Sequence, residues 1–268
     1  MSSAPFVSVV TGSSSGIGRA VAIEFAKRGD FLVLHGNRNL SGLQHTADLA
    51  LASGSAGILA VTADLQSHAS VHEFVRASFA RFGYVDAWVH MAGADVLTGS
   101  GRQLRFSDKL EQLWRTDICG MMNLSRLVSE RMLNQTVRPH LPSMIHIGWD
   151  QSTTGMEGDS GQLFCTIKAA VTAFSRSLAM SVAPMMRVNC VAPGWIKTEW
   201  GAAASPGWEA RAKGESMLNR WGEPNDIAKA VAWLCSPDAS FVNGQTLCVN
   251  GGWKSMSLSA RCETTFKP

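Results

Sequence analysis

The stretch VVTGSSSGIG, residues 9–18, ends an apolar run, begins a helical pattern and decides the fold. Three glycines in it form the pattern G-x-x-x-G-x-G. Glycine permits a tight turn and a close approach of the backbone to a phosphate, and the N-terminus of the next helix offers free N–H groups and a positive dipole end to an anion. The stretch therefore predicts a dinucleotide site. The expected contacts are Gly12, Ser14, Ser15, Gly16, Ile17 and Gly18.

Short apolar runs alternate with helical patterns along the rest of the chain. The apolar runs are residues 6–10, 31–35, 57–61, 85–90, 143–148, 186–191 and 246–249, and the helical patterns are near 16–29, 41–53, 67–82, 103–133, 160–183 and 223–235. Runs without polar alternation are typical of strands buried on both faces, and strand–helix alternation indicates right-handed crossovers. The pattern predicts an α/β doubly wound parallel sheet (Rossmann fold) in a single domain, 1–268. Residues 194–222 break the rhythm and are predicted to be a substrate loop or lid.

Composition narrows the possible functions. The chain has 268 residues, 46% of them hydrophobic and 17% charged, with a formal net charge of +3. The sequence has no basic cluster of the kind that binds nucleic acid, so no nucleic-acid partner is expected. It also has no apolar run typical of a signal peptide or a membrane span. The six cysteines form no C-x-x-C pair, which favours reduced thiols and a cytoplasmic location. No metal site is predicted.

Several motifs carry a resemblance to a known family. The turn T-G-x-x-x-G-I-G (11–18), MAG (91–93), APGWIKT (192–198) and the segment RWGEPNDIAKAVAWLCSPDASFVNGQTLCVNGG (220–252) resemble the short-chain dehydrogenase/reductases. The resemblance covers essentially the whole chain and is greatest to the β-ketoacyl-carrier-protein reductase branch. It implies adenine contacts from Asp64 and Leu65. It also implies ribose contacts from Ala92 and Gly93, and nicotinamide and pyrophosphate contacts from Pro193, Gly194, Ile196 and Thr198.

The end of the second strand indicates which dinucleotide binds. A carboxylate there binds the ribose diol of NAD, whereas an arginine accommodates the extra phosphate of NADP. The sequence HGNRN (35–39) has no acid and provides Asn37 and Arg38. NADP(H) is therefore favoured over NAD(H), although Arg38 could also be a solvated loop residue.

The catalytic positions depart from the family pattern. The family uses a tyrosine and a lysine four residues apart on one helix, a serine and an asparagine. Lys168 is present, but Phe164 stands at the tyrosine position, and Asp117 stands at the asparagine position. Trp149 stands where serine is expected, although a longer loop keeps Asp150, Gln151 and Ser152 open for that role.

Two kinds of explanation fit these changes. Asp150 or Asp117 can replace the acid if burial raises its pKa well above the reference value of ~3.9. Alternatively, the substrate is an iminium, which accepts hydride without protonation of an oxygen. Four tryptophans near the predicted nicotinamide site, Trp149, Trp195, Trp200 and Trp208, can form an aromatic wall or a cation–π site.

We therefore predict an atypical NADP(H)-dependent oxidoreductase that acts on a small carbonyl or imine-type substrate, with Lys168, Asp150 and Asp117 as catalytic residues. A catalytically silent NADPH-binding sensor or regulatory protein is the alternative, and an enzyme that uses the cofactor only structurally is a third. The resemblance also implies a homo-oligomer, a dimer or tetramer, formed through the segments 103–133 and 160–183.

Overall fold

The computed structural model describes residues 5–97, 99–202 and 204–254, without the side chains of residues 200 and 202. Seven strands form one sheet in the order β3-β2-β1-β4-β5-β6-β7, and every pairing is parallel. The strands are β1 (Val7–Thr11), β2 (Phe31–Gly36), β3 (Gly57–Thr62), β4 (Ala87–His90), β5 (Ser143–Ile147), β6 (Arg187–Pro193) and β7 (Thr246–Val249). The predicted parallel sheet is confirmed.

Helices cover both faces of this sheet. They are α1 (Gly16–Lys27), α2 (Leu40–Ala52), α3 (His68–Phe82), α4 (Phe106–Leu113), α5 (Met121–Leu133), α6 (Asp159–Val182), α7 (Glu199–Ala202), α8 (Pro206–Glu215) and α9 (Pro224–Cys235). Phe25 of α1 and Ile227 of α9 belong to the buried cluster on one face, and Phe74 of α3 and Leu124 of α5 belong to the cluster on the other. The predicted Rossmann-type fold is therefore confirmed, with apolar cores on both sides.

The helical pattern predicted over 103–133 is not one regular helix. Between α4 and α5 the backbone widens into a π-helical segment, Trp114–Gly120, which carries Asp117. A Cβ at Gly120 would lie 2.8 Å from the carbonyl oxygen of Leu65, so this part of the helix approaches the backbone after β3 closely. π-helical turns are frequent at functional sites, and this one positions the Asp117 side chain in the cleft.

The segment 194–222, predicted as a loop, contains the helices α7 and α8. Pro206 stands in the first turn of α8, where its missing N–H has no helical partner to lose. A backbone bridge between Ile196 and Gly222 brings the two ends of the segment together. The segment is thus partly helical with its two ends joined, and its role as a substrate loop or lid stays a prediction.

Helix α6 is the one helix in the described residues that is long and apolar enough to cross a membrane. It packs against β5 and β6 and carries the buried Lys168. We therefore interpret α6 as a core helix.

Strand order reverses between β1 and β4, because the chain winds outward through β2 and β3 and then returns to the other side of β1. In open parallel sheets, the crevice outside the carboxyl ends of the strands at such a reversal is where ligands bind. The glycine-rich loop follows β1 at this point.

Candidate active site

One cavity of about 1290 Å³ lies at this crevice. It brings together all of the residues predicted to bind the cofactor, together with Asp117 of the catalytic prediction; Asp150 does not line it. The predicted cofactor residues that line the cavity are Gly12, Ser14, Ser15, Gly16, Ile17, Gly18, Asn37, Arg38, Asp64, Leu65, Ala92, Gly93, Lys168, Pro193, Gly194, Ile196 and Thr198.

The loop after β1 has the shape that a phosphate requires. Gly12 and Gly16 have φ values of +64° and +54°, in the left-handed region that favours glycine. A Cβ at Gly12 would lie 2.7 Å from the backbone of Ala92, so the loop packs directly on the residues after β4. Ser15 precedes α1 and makes no side-chain cap. The first N–H groups of α1 therefore remain available to an anion, and the loop fits the pyrophosphate of a dinucleotide.

His35 at the end of β2 supports this loop, a role that the sequence did not reveal. Its Nδ1 accepts a hydrogen bond from the Gly12 N–H at 3.2 Å, and its Nε2 lies 3.0 Å from the carbonyl oxygen of Ala63. Burial lowers the pKa of His35 to about 4, so the ring is neutral at pH 7 and Nε2–H donates to Ala63. The only sequence signal was a polar residue at the end of a buried strand.

Arg38 lies at the adenosine end of the cavity, just beyond β2. Its side chain is exposed and makes no ion pair or hydrogen bond with any residue in the described part of the chain. No carboxylate occupies residues 35–39. The edge of the cavity where a ribose would lie therefore offers a free guanidinium and the amide of Asn37.

Lys168 and Asp117 form a buried ion pair at the opposite end. Lys168 Nζ lies 2.9 Å from Oδ1 of Asp117, and the side chains are only 6% and 1% exposed. The ammonium also donates to the carbonyl oxygen of Ile147 at 3.3 Å, while Oδ2 of Asp117 accepts the Ala94 N–H at 2.8 Å. An ammonium has three protons, so these contacts leave one donor for a ligand in the cavity.

Phe164 lies one helical turn before Lys168 and faces the same cavity. Its ring centroid is 5.3 Å from Lys168 Nζ and 5.0 Å from the ring of Trp149, which meets it edge to face. Trp149 also lines the cavity, whereas Gln151 and Ser152 do not. Two aromatic side chains that cannot serve as general acids thus line this part of the cavity.

Asp150 lies behind Trp149. Its Oδ2 accepts a hydrogen bond from Asn250 Nδ2 at 3.0 Å, and its buried Oδ1 has no hydrogen-bond partner in the described residues. Burial is the main cause that raises the pKa of Asp150 to about 6, and the negative charge of Glu215 adds to it. The expected rise in pKa is therefore present, but the carboxyl group is not at the cavity surface, where a substrate oxygen would be.

The aromatic wall has a different partner from the one expected. Trp195 and Trp208 line the cavity, and the Arg211 guanidinium lies 5.7 Å and 5.4 Å from their ring centroids. Arg211 is itself paired with Glu157 and Glu215. The two tryptophan rings therefore already make cation–π contacts with an arginine of the protein itself. The side chain of Trp200 lies outside the described residues.

Glu215 is the buried carboxylate that organises this wall. It accepts hydrogen bonds from Trp195 Nε1 at 2.7 Å, Gln151 Nε2 at 3.0 Å and Arg211 Nε at 3.1 Å. The contacts join α8 to the loop after β5 and to the residues after β6. The sequence reasoning missed Glu215 and Arg211 because their contacts cross between distant segments.

A glycine loop on a doubly wound parallel sheet, facing a buried lysine, defines a dinucleotide-binding protein of the oxidoreductase type. The chain belongs to the short-chain dehydrogenase/reductase family. Residues 12–254 match the family model described as enoyl-(acyl carrier protein) reductase.

Individual relatives match along nearly their whole length. The 3-oxoacyl-acyl-carrier-protein reductase FabG of Escherichia coli is 36% identical, over 92% of this chain and 96% of the relative. The FabG of Haemophilus influenzae is 33% identical, over 92% and 97%. Among solved structures, acetoin dehydrogenase YohF from Salmonella typhimurium superimposes with a TM-score of 0.77 at 27% identity, over 93% of this chain and 97% of that one. The resemblance to the family is thereby confirmed.

Proposed function

We propose that this protein is an NADP(H)-dependent oxidoreductase that reduces a small carbonyl or imine-type substrate without a tyrosine acid. The single observation that supports the proposal is a contrast within one cavity: the residues predicted to bind the cofactor line it together with Lys168, while Phe164 and Trp149, which cannot serve as general acids, line it beside Lys168. Bound NADPH supplies the hydride. The relatives named as 3-oxoacyl-acyl-carrier-protein reductases and as acetoin dehydrogenase act on carbonyl compounds, which supports the reaction type.

Lys168 positions the cofactor in this proposal. Asp117 and the carbonyl of Ile147 fix its ammonium. The remaining proton would be available to the nicotinamide ribose hydroxyls of a bound cofactor. Aspartate in place of asparagine makes this contact an ion pair. The ammonium group of the lysine is thereby held in one place before the cofactor binds, which lowers the entropic cost of binding.

The lack of a proton donor beside Lys168 in the described residues favours a substrate whose reduction needs no proton transfer. Hydride addition to a ketone places a negative charge on oxygen and needs a proton donor, which contributes about two to four orders of magnitude in rate. Hydride addition to an iminium moves the C=N π-electron pair onto nitrogen and yields a neutral amine, with no proton transfer. Phe164 and Trp149 provide an apolar surface next to the reacting carbon that suits this chemistry. We accordingly favour the imine-type substrate over the ketone.

In this proposal neither Asp117 nor Asp150 acts as a replacement acid, and each has a positioning role instead. Asp117 reaches the cavity, and we propose that it positions Lys168. Asp150 is behind Trp149, and we propose that it helps to hold the Trp149 loop against the Asn250 segment. Neither proposal requires proton transfer to the substrate.

Arg38 supports NADP(H) over NAD(H). A free guanidinium at the ribose edge can form a bidentate contact with a phosphate, and no acid nearby opposes that phosphate. We also propose a cytoplasmic homo-oligomer. Its interface would use α4 and the neighbouring π-helical segment, where large apolar side chains of Phe106, Leu110 and Trp114 are exposed.

A screen of reaction classes tests the proposed function. The purified protein is mixed with NADPH and then with matched ketones, cyclic imines and enones, and loss of nicotinamide absorbance is followed. We expect turnover on imines that exceeds turnover on ketones of the same shape by at least about a hundredfold. Tight NADPH binding with no turnover on any class supports the alternative of a catalytically silent sensor.

A further inference from the structure

Lys109 of α4 is a buried lysine that lines the active-site cavity. Only 6% of its surface is exposed, yet no described residue forms an ion pair or hydrogen bond with its ammonium group. The Lys109 Nζ atom is not among the buried polar atoms that lack a partner, so the methylene stem is buried while the ammonium group meets the open space of the cavity. This arrangement suits an ammonium group that faces the cavity and binds a ligand there.

A second cation borders the same cavity. Arg102 lies on the turn Gly101–Gln103, and its exposed guanidinium likewise has no partner in the described part of the chain. The start of this loop is held in place because the Ala94 N–H donates to Asp117 and Ser160 Oγ donates to the carbonyl oxygen of Val96 at 2.7 Å. Arg102 therefore follows a segment that is seated against both Asp117 and the first turn of α6.

Helix α4 turns one face to the cavity. Lys109 and Gln112 of α4 line it at the spacing i, i+3, which puts side chains on one side of a helix, and Thr116 of the π-helical segment lines it as well. Gln112 adds an amide next to Lys109. Leu113 of α4 is buried in one cluster with Leu163 and Ile167 of α6, the helix that carries Phe164 and Lys168, and Thr116 accepts a hydrogen bond from Gln66 Nε2 at 3.1 Å.

Lys109 and Arg102 differ from the other cations at the substrate end. Lys168 is paired with Asp117, and Arg211 is paired with Glu157 and Glu215. Two carboxylates, Asp95 and Asp159, also line the cavity, but the structure forms no ion pair between either of them and Lys109 or Arg102. Asp159 stands in the first turn of α6, where the helix dipole stabilises its charge.

We propose that the substrate carries an anionic group, a carboxylate or a phosphate, which Lys109 and Arg102 bind while the reacting carbon lies beside Phe164 and Lys168. This inference rests on the proposed function and names the substrate class of the same site. Lys109 precedes Asp117 by two helical turns, roughly 12 Å at 1.5 Å per residue. The anionic group is therefore expected on the order of 10 Å from the reacting carbon, at the end of a side chain rather than next to the C=N bond.

A matched substrate series tests the proposal. It consists of 2-alkyl-1-pyrrolines whose side chains differ in length and end in a carboxylate, a phosphate or a neutral methyl ester. With wild-type protein and NADPH, we expect the better anionic compound to exceed the ester of equal length in kcat/KM by at least about tenfold. The carboxylate and phosphate arms show which anion is recognised.

Variants assign the effect to the two cations. Lys109→Gln and Arg102→Gln are each expected to bring the ratio of anion to ester towards one, and Lys109→Arg is expected to keep most of it. The matched control is Lys229→Gln, which removes the same charge from an exposed position on α9 outside the cavity. Equal ratios for Lys109→Gln and Lys229→Gln would overturn the inference.

Two binding measurements separate this inference from the proposed function. Calorimetric titration of the NADP⁺-bound protein with the carboxylate and ester compounds needs no turnover. Binding of the anion that depends on Lys109, without reduction of any imine, sinks the proposed reaction but keeps the anion site. Titration with NADPH tests the alternative that Lys109 binds the cofactor instead of the substrate. If Lys109→Gln weakens NADPH binding and leaves the anion-to-ester ratio unchanged, that alternative holds and the inference fails.

Discussion

Lys168 Nζ lies 2.9 Å from Oδ1 of Asp117, and the other oxygen of this carboxylate accepts the backbone N–H of Ala94. The carboxylate thus joins the lysine on α6 to the segment after β4. Both charges are buried, so each one is stable there chiefly because of the other. The pair is the point at which the cofactor end of the cavity meets the substrate end.

Removal of the lysine alone should destabilise the protein. Lys168→Met leaves Asp117 as an unpaired buried carboxylate, and we expect a loss of about 3–5 kcal/mol in the free energy of unfolding. The double variant Lys168→Met with Asp117→Asn should recover part of that loss. Urea denaturation measures both, and Lys213→Met, from an exposed ion pair with Glu209, is the control with an expected loss below about 1 kcal/mol. Similar losses for Lys168→Met and Lys213→Met would contradict the role of the pair.

A hydroxyl restored at position 164 should restore ketone reduction. Phe164 faces the cavity one turn before Lys168, so a tyrosine there would place its hydroxyl next to the substrate. We expect Phe164→Tyr to raise kcat for ketones by at least about tenfold, a fraction of the roughly two to four orders of magnitude that an optimised general acid contributes. Steady-state kinetics on matched ketones and imines are the measurement, and Phe164→Leu is the control for altered packing. If Tyr and Leu variants behave alike on ketones, the remainder of the site does not support that reaction.

Asp150 should make stability depend on pH in a defined direction. Burial raises its pKa to about 6 in the folded protein, above the ~3.9 expected for the unfolded chain. Between these values the folded state binds more protons, so the Asp150 contribution to stability is present at low pH and falls as pH rises from about 4 to about 6.

Asp150→Asn should remove this fall. At pH 7 and above, the variant is expected to be more stable than the wild type by about 3 kcal/mol, because it no longer buries a carboxylate charge. Urea denaturation from pH 4 to pH 8 gives the difference curve, and Asp48→Asn, at an exposed position, should give a flat one. A flat curve for Asp150→Asn as well would show that the carboxyl group is solvated or better paired than its position indicates.

Arg38 should determine the choice between the two dinucleotides. We expect Arg38→Ala to weaken NADPH binding by at least about tenfold, since a hydrogen-bonded ion pair with the extra phosphate is lost, and to change NADH binding little. Fluorescence titration with both cofactors measures the ratio. Arg176→Ala, at an exposed position of α6, is the control for loss of a positive charge. Equal loss of NADPH and NADH affinity in Arg38→Ala would contradict the assignment.

The structure brings together the residues that the sequence predicted to bind the cofactor, because the features that predict them are local. The glycine pattern needs positive φ values at Gly12 and Gly16, and only glycine adopts them without strain. The carboxyl ends of parallel strands meet at one edge of the sheet. Asp64 and Ala92, which follow β3 and β4, and Pro193, which ends β6, therefore lie at the same cleft.

The substrate end could not be predicted in the same way. Whether Trp149 or Asp150 faces the cavity depends on the short helical turn after Trp149, which spacing alone does not define. Nothing in the amino-acid composition of the segment that carries Asp117 distinguishes a π-helix from an α-helix. The contacts of Glu215 and the burial of Lys109 arise from packing between segments far apart in sequence, and polar residues give no periodic signal for that.

Deuterium transfer tests the central claim most directly. NADPH labelled with deuterium at the reactive C4 position is incubated with the protein and an equimolar mixture of a cyclic imine and a ketone of the same shape, and both products are analysed by mass spectrometry. The account predicts deuterium in the amine, with label in the alcohol lower by at least about a hundredfold. Deuterium in neither product, from a protein shown to bind NADPH, would contradict hydride transfer, and label mainly in the alcohol would contradict the substrate preference that Phe164 implies.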